Sequence, residues 1–264
     1  MKMVASAKLH KAQAAIESML PYERRLHHIL TDFMSNCTEV TSPFIVKREV
    51  KKVAVVVFAS NTSLCGGFNA NVIRHLVDLL AEYKPLGLEN ILVFPVGKKV
   101  ADAVRKLGFR IEGDFQHMAD KPSYQEAADL AADLMKRFLH GDVDKVELLY
   151  NHFKSTASQI LTRETYLPID LNNEKKEEER TIDYILEPSA EELMQEMLPK
   201  VLRMKMFTVL LDSNAAEHAA RTMAMQIATD NANELLQELT VMYNKSRQQS
   251  ITNELLDIVG GSMA

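Results

Sequence analysis

Thiols are scarce: Cys37 and Cys65 are the two cysteines among 264 residues. Two cysteines so far apart do not make the disulfide framework of a small secreted domain, and they fit a reducing compartment. There is no tryptophan and no internal repeat. No apolar run approaches the roughly 20 residues that a spanning helix needs. The N-terminus lacks the apolar centre and cleavage site of a secretory signal. Positive charge is not in excess, with 31 Lys and Arg against 36 Asp and Glu and a net charge of −5. That excludes the global basic field of a nucleic-acid binder.

Catalytic signatures are missing too. A phosphate-binding loop needs Gly-x-x-x-x-Gly-Lys-Ser/Thr, because its backbone N–H groups and lysine hold the phosphates. Gly97-Lys98 is followed by Lys99, and Leu92 stands where the first glycine belongs. Gly-x-Gly-x-x-Gly and Gly-x-Ser-x-Gly occur nowhere. Gly66-Gly67 lies between an expected strand and helix, where ligands of dinucleotide-binding folds sit. Two adjacent glycines fit a tight structural turn better than a ligand loop. No zinc spacing links the cysteines with the eight histidines, and His27 and His28, being adjacent, project differently. The acidic groups Glu177-Glu178-Glu179 and Glu191-Glu192 read as solvated and helix-start charges. The residues offer no active site, cofactor site or metal site.

Glycine and proline are also rare where the chain is most distinctive. From Pro199 to Ala264 the only proline is the first residue, and no glycine occurs before Gly260-Gly261. A helix of that extent is a rod on the order of 100 Å long, too long for a globular core element. Its stripe reads Leu202, Val209, Ala216, Ala220, Met223, Ile227, and then Asp230, Glu234 and Gln237 take over that phase. The apolar stripe slips to Leu235, Leu239, Met242 and returns at Ile251, Leu255, Ile258. Such a seam wants a helical partner along part of its length. The N-terminus supplies one: Ala5, Ala12, Met19, Leu26 and Phe33 recur every seven residues. Ala15, Tyr22 and Ile29 fill a second heptad position in which Lys8 is the polar exception. Alanine on both seams allows close approach, and Pro21 is expected to kink the first helix.

Between the two ends the period changes. Val53–Phe58 reads as a strand buried on both faces, and Ile91–Val96 as a second. Helices are expected over Asn69–Tyr83, Lys98–Leu107 and Tyr124–Leu139, the last two stopped by Gly108 and Gly141. Lys145–Tyr150 and Ile160–Ile169 read as further strands, the later ones able to pair antiparallel. Residues 172–180 form a charged loop, Tyr184–Leu186 a short strand, and Ser189 caps a short helix, with Pro199 either separating it from the rod or sitting in the rod's first turn. Alternation of strands and helices argues for a mainly parallel sheet. The fold class is thus α/β: an antiparallel coiled coil of N- and C-terminal helices with an inserted Rossmann-like α/β domain. The expected parts are 1–45, an N-terminal coiled-coil helix; 46–188, the α/β domain; and 189–264, the long C-terminal helix.

Specific stretches carry a resemblance. Leu64-Cys65-Gly66-Gly67-Phe68-Asn69-Ala70-Asn71 resembles the hallmark turn of the gamma subunits of F-type ATP synthases. So do Glu217 to Met225, Ala228 to Ala232, Tyr243 to Leu255 and the ending Ile258 to Ala264, while Met1 to Leu9 is similar to that family's first helix. Family members carry about twenty residues before the position of Met1, so the resemblance implies a chain lacking those first turns.

The resemblance implies a rotor. Such a shaft stands in a ring of three alpha and three beta subunits, which hold the nucleotides. Its α/β domain sits on the membrane-embedded c-ring and binds the epsilon subunit. Turning with proton flow, it couples that flow to ATP synthesis and regulates ATPase activity. It is a non-catalytic subunit with no cofactor, no substrate of its own and no nucleic-acid partner. Its place is peripheral, on the cytoplasmic face of the bacterial inner membrane. Carried over residue by residue, Arg247, Gln248, Thr252 and Glu254 contact the beta subunits. Ile258, Val259 and Met263 form the shaft tip, and Gly66 and Gly67 a structural turn. The readings that compete with this are a nucleotide-binding α/β enzyme using Gly66-Gly67 and a coiled-coil adaptor.

Overall fold

The structure is a computed structural model that describes residues 2–36, 42–169 and 190–262. Cys37, the 172–180 run, Tyr184–Leu186, Ser189 and Met263 lie outside the described residues, as do the side chains of His27, His28 and Phe33. The chain divides into two compact units, Met1–Met223 and Ala224–Ala264.

The first unit is built on a five-stranded sheet. Strands β1 (Val53–Phe58), β2 (Ile91–Val96), β3 (Arg110–Ile111), β4 (Lys145–Phe153) and β5 (Gln159–Leu167) stand in the order β3-β2-β1-β4-β5. The first four are parallel, with Val53 opposite both Ile91 and Lys145, and β5 returns antiparallel along β4. Every residue of β1 is buried. Val53, Val55 and Val57 enter one core and Ala54, Val56 and Phe58 the other, on opposite sheet faces. That is the two-sided burial a continuous β-branched run predicts. Helices α2 (Phe68–Tyr83) and α3 (Lys98–Leu107) cover the first face with Val72, Leu76, Val100 and Val104. On the second face, α5 (Tyr124–His140) contributes Ala127, Leu134 and Phe138. Gly108 and Gly141 end α3 and α5 in the left-handed conformation, the stop expected of glycine there. Strand β3, helix α4 (Gln116–Asp120) and the single 3-10 turns Lys84–Leu86 and Leu88–Asn90 are each too brief to show a period in the sequence.

The two ends of the chain form helices α1 (Lys2–Asn36) and α6 (Ala190–Ser262). Helix α6 is continuous through Pro199, so the expected break there is absent. Met194, Leu198, Leu202 and Met206, four residues apart, are all buried in the second core. Each contributes roughly 1.5–3 kcal/mol on burial, and together they outweigh the cost of about 3 kcal/mol for an interior proline. Helix α1 likewise continues through Pro21. It runs antiparallel to α6: Lys8 acts electrostatically on Glu217 and His218, while Gln13 and Glu17 share a cleft with Thr208 and Asp212. Its seam is Ala5, Leu9 and Ala12, so the second heptad position falls on Leu9 rather than Lys8. Tyr22 and Ile29, expected on the seam, are 54% and 40% exposed. Small side chains at Ala5, Ala12, Ala215, Ala216 and Ala219, all buried, let the paired backbones come close.

The second unit is helical throughout its described residues, 224–262, and every residue from Ile227 onward is exposed. The stripe that is buried at Leu202, Val209 and Ala216 reaches the surface at Met223 and Ile227.

Candidate functional site

In open α/β sheets, ligands bind beyond the carboxyl ends of the strands where the strand order reverses. Here that place lies between β1 and β4, and α6 packs over the adjoining ends of β1 and β2. Phe58, Ala59 and Val96 at the strand ends meet Leu210, Ser213, Asn214 and Glu217 of α6 around a cavity of about 10 Å³, the room of about one water molecule. Cys65 and Phe68 pack on Ala216 beside it. A nucleotide has no space in that cavity; a separate cleft of about 220 Å³ lies at the end of β4, between His152, Phe153, Asp212 and Gln13.

Gly66 and Gly67 belong to the turn at this end of the sheet. Gly66 has φ 58° and Leu64 φ 67°, left-handed conformations that glycine adopts freely and leucine does not. Gly67 immediately precedes α2. The turn is tied by side chains. Asn69 Oδ1 accepts from Ser60 N at 3.1 Å, Ser60 Oγ donates to Thr62 O at 2.6 Å, and Asn69 Nδ2 reaches Cys65 Sγ at 3.1 Å. Among the described residues no group of three or more His, Cys, Asp or Glu could hold a metal ion, and no helix is long and apolar enough to cross a membrane.

What this end of the sheet does have is polar attachment to α6. Asp212 accepts from His152 Nδ1 at 2.6 Å and from Phe153 N at 2.8 Å, gripping the end of β4. Asn214 Nδ2 donates to Ala119 O at 2.9 Å. Arg221 donates to Ser63 O and pairs with Glu217 at 2.6 Å. Nearer the strand starts, Tyr166 Oη donates to Leu202 O at 2.8 Å, and Lys205 Nζ lies 3.0 Å from Glu164. Burial raises the Glu217 carboxyl above its ordinary range, against the lowering influence of Arg221. Burial, then the positive charges of Lys8 and Arg221, lower the His218 imidazole to about 4. Reading the sequence for catalytic motifs passed over these anchors. Lys205, Asp212, Asn214 and Arg221 share their stretch of helix with Arg203, Glu217 and His218, so the sequence alone does not single them out.

The residues singled out from the sequence lie in the second unit. Arg247, Gln248, Thr252 and Glu254 are all exposed on the helix. At about 100° per residue, Arg247 and Glu254 share one face and Gln248 and Thr252 another. Thr252 Oγ1 donates to Gln248 O at 2.8 Å. Ile258 and Val259 are 69% and 50% exposed, one lying in line with each pair. Leu235, Leu236, Val241, Tyr243, Leu255 and Leu256 are exposed as well, and by the same angular count they point to every side of the helix. Polar residues lie among them, and exposed apolar surface on this scale marks an interaction surface. The arrangement can bind partners around its circumference.

The family model described as ATP synthase matches residues 1–264. The chain is 80% identical over 266 residues to a protein of Phocaeicola vulgatus named ATP synthase gamma chain, covering 100% of this chain and 92% of that one. It is 63% identical to the protein of that name from Bacteroides fragilis and 42% identical to that from Flavobacterium johnsoniae, again over 100% of its length and 92% and 91% of theirs. Among solved structures, the fold is similar to a chain of the Tetrahymena thermophila mitochondrial ATP synthase central stalk and c-ring. There the TM-score is 0.57 and the identity 20%, covering 86% of this chain and 99% of that one. A chain of the Euglena gracilis mitochondrial ATP synthase matches with TM-score 0.55 and 20% identity, covering 98% and 95%.

Proposed function

The chain belongs to the family of ATP synthase gamma chains, and from that premise we propose that it is the central rotor shaft of an F-type ATP synthase. It couples proton flow through a membrane c-ring to ATP synthesis in an alpha/beta ring, and it regulates the ATPase activity of that ring. The observation that carries the reading is the 224–262 helix, exposed from Ile227 onward with large apolar side chains on every side. A shaft enclosed by a ring of similar subunits needs such a surface, because it meets a neighbour in every direction as it turns.

The domain assignments follow the same logic. Residues 1–45 and 189–264 supply the shaft helices and 46–188 the α/β foot, whose partners are the c-ring and the epsilon subunit. Arg247, Gln248, Thr252 and Glu254 are the contacts to the beta subunits, and Ile258, Val259 and Met263 form the tip. Gly66 and Gly67 are a structural turn. The chain is itself non-catalytic, with the active sites in the alpha and beta subunits. It has no cofactor, small-molecule substrate or nucleic-acid partner of its own. Its place is peripheral, on the cytoplasmic face of the bacterial inner membrane. Close packing of α6 on the ends of β1 and β2, beside the Gly66-Gly67 turn, supports the non-catalytic reading over a nucleotide-binding enzyme that uses that turn.

Co-purification tests the proposal. An affinity tag on the chain should recover one copy per three alpha–beta pairs, and the complex should hydrolyse ATP while pumping protons. Recovery without alpha and beta subunits, or tight ATP binding by the isolated chain, would overturn it.

A further inference from the structure

Three elements of the first unit enclose the cleft of about 220 Å³ at the end of β4. Helix α1 lines it with Ile16 and Glu17, α6 with Thr208 and Asp212, and β4 with His152 and Phe153. Residues three or four apart share a helix face, so α6 turns one face to the cleft. The charge there is negative. Glu17 and Asp212 stand against one imidazole, His152, whose Nδ1 is already 2.6 Å from Asp212. Glu17 is exposed and makes no ion pair among the described residues. Asp212 lies deeper, with its side chain 14% exposed.

Thr208 differs from the other threonines of α6. Thr222, Thr229, Thr240 and Thr252 each donate Oγ1 to the carbonyl four residues back, the usual partner of a helical hydroxyl. Thr208 Oγ1 does not; it is buried and has no partner among the described residues. An unpaired buried hydroxyl is costly, and on the wall of a cleft it favours a ligand that supplies the missing bond.

These features select one kind of occupant. Two carboxylates with no lysine or arginine on the walls disfavour an anion. Among the described residues no three His, Cys, Asp or Glu are grouped to hold a metal ion. An ammonium group has three donors and no acceptor, which matches Glu17, Asp212 and Thr208 Oγ1. Ile16 offers an apolar body its contact, and the ring of Phe153 attracts a nearby cation through its π face.

We propose that this cleft binds a small organic ammonium ion with an apolar body, its head on Glu17, Asp212 and Thr208 and its body against Ile16 and Phe153. Such a ligand is an effector and not a substrate: by bridging α1, β4 and α6 it stabilises their packing. The site goes beyond the rotor reading and does not depend on it.

The test uses the full chain with methyl-labelled isoleucine and threonine, titrated by NMR with three probes that share one body: 2-phenylethylamine, 2-phenylethanol and phenylacetate. About nine heavy atoms of ordinary ligand efficiency give the amine a Kd of about 1 mM. An ion pair of this exposure is worth up to about fivefold, so the alcohol should bind about fivefold more weakly and the acid more weakly again. The Ile16 and Thr208 methyl signals should move with the amine. Thr208→Val keeps the shape of the side chain and removes the hydroxyl, so it should not weaken the fold, yet it should lower amine affinity about fivefold. Glu17→Gln, at an exposed position, should lower it by a similar factor. Equal affinity for the three probes, unmoved Ile16 and Thr208 methyl signals, or an amine affinity unchanged in either variant overturns the proposal. None of these results touches co-purification with alpha and beta subunits, so the site and the rotor reading fail separately.

Discussion

Arg163 Nε lies 2.9 Å from Glu147 Oε2, and the carboxylate it meets is only 2% exposed although it sits within the sheet on β4. Lys145 Nζ at 2.6 Å and Tyr83 Oη at 2.8 Å complete the set around Glu147. Burial pushes the Glu147 carboxyl up, but the hydrogen bonds from Arg163, Lys145 and Tyr83 outweigh it and hold the group below its ordinary value. Arg163→Ala leaves a buried carboxylate short of one partner, at a cost of roughly 1–3 kcal/mol. Arg163→Ala with Glu147→Leu removes both charges and should recover most of that loss. Chemical denaturation of the full chain checks this; equal stability of the single and double variants would count against it.

Gly97 joins β2 to α3 with φ 114°, a conformation that disfavours any side chain. A Cβ at this position would lie 2.2 Å from Ala59 O and 2.8 Å from Ala59 C, so β1 and β2 would have to separate at their carboxyl ends. Gly97→Ala should cost more than the roughly 1–3 kcal/mol of backbone strain alone. A melting temperature within error of wild type would refute the clash.

How much of this was legible follows element by element. Val53–Phe58 announced a doubly buried strand because no polar residue interrupts it, and Gly108 and Gly141 marked helix ends because the left-handed stop needs them. Pro199 misled, because a local rule met a non-local one: burial of Met194, Leu198 and Leu202 keeps the helix continuous. The heptad on α1 slipped by one because Lys8 and Leu9 both fit a seven-residue repeat, and only the surroundings select Leu9. Asp212 was illegible as an anchor, since its partners His152 and Phe153 are 60 and 59 residues away in sequence.

His218 is buried between charged neighbours, with its Nδ1 unpartnered. Lys8 from α1, Asp120 from α4 and Arg221 from its own helix act on it, and Glu217 precedes it in the chain. Its ordinary value of 6.5 falls to about 4 in the fold. Between those values the unfolded chain binds the proton and the folded chain does not, so this contribution is complete above pH 6.5 and is lost as pH falls towards 4. Glu217, raised by burial, works in the opposite sense: it favours the fold while protonated and loses that contribution as pH rises through its folded value. His218→Gln should therefore flatten the acid side of the stability profile. Melting temperatures of the full chain from pH 4 to 7 measure it, and identical profiles for variant and wild type would rule the effect out.

Arg247 and Gln248 project from adjacent faces of an exposed helix, and neither side chain is needed to hold that helix together. Removing them therefore separates binding from folding. Arg247→Ala with Gln248→Ala keeps helix propensity, since alanine is the best helix former, so circular dichroism should match wild type. If these side chains meet the surrounding ring, their loss removes charge-assisted hydrogen bonds of about 1.5–3 kcal/mol each, which the shaft would otherwise make and release in turn. Coupled ATP synthesis should then fall about tenfold or more, with the complex still assembled. Unchanged ATP-driven proton pumping in membranes carrying the double variant would place the bearing contacts elsewhere on the helix, with the exposed leucines the next to examine.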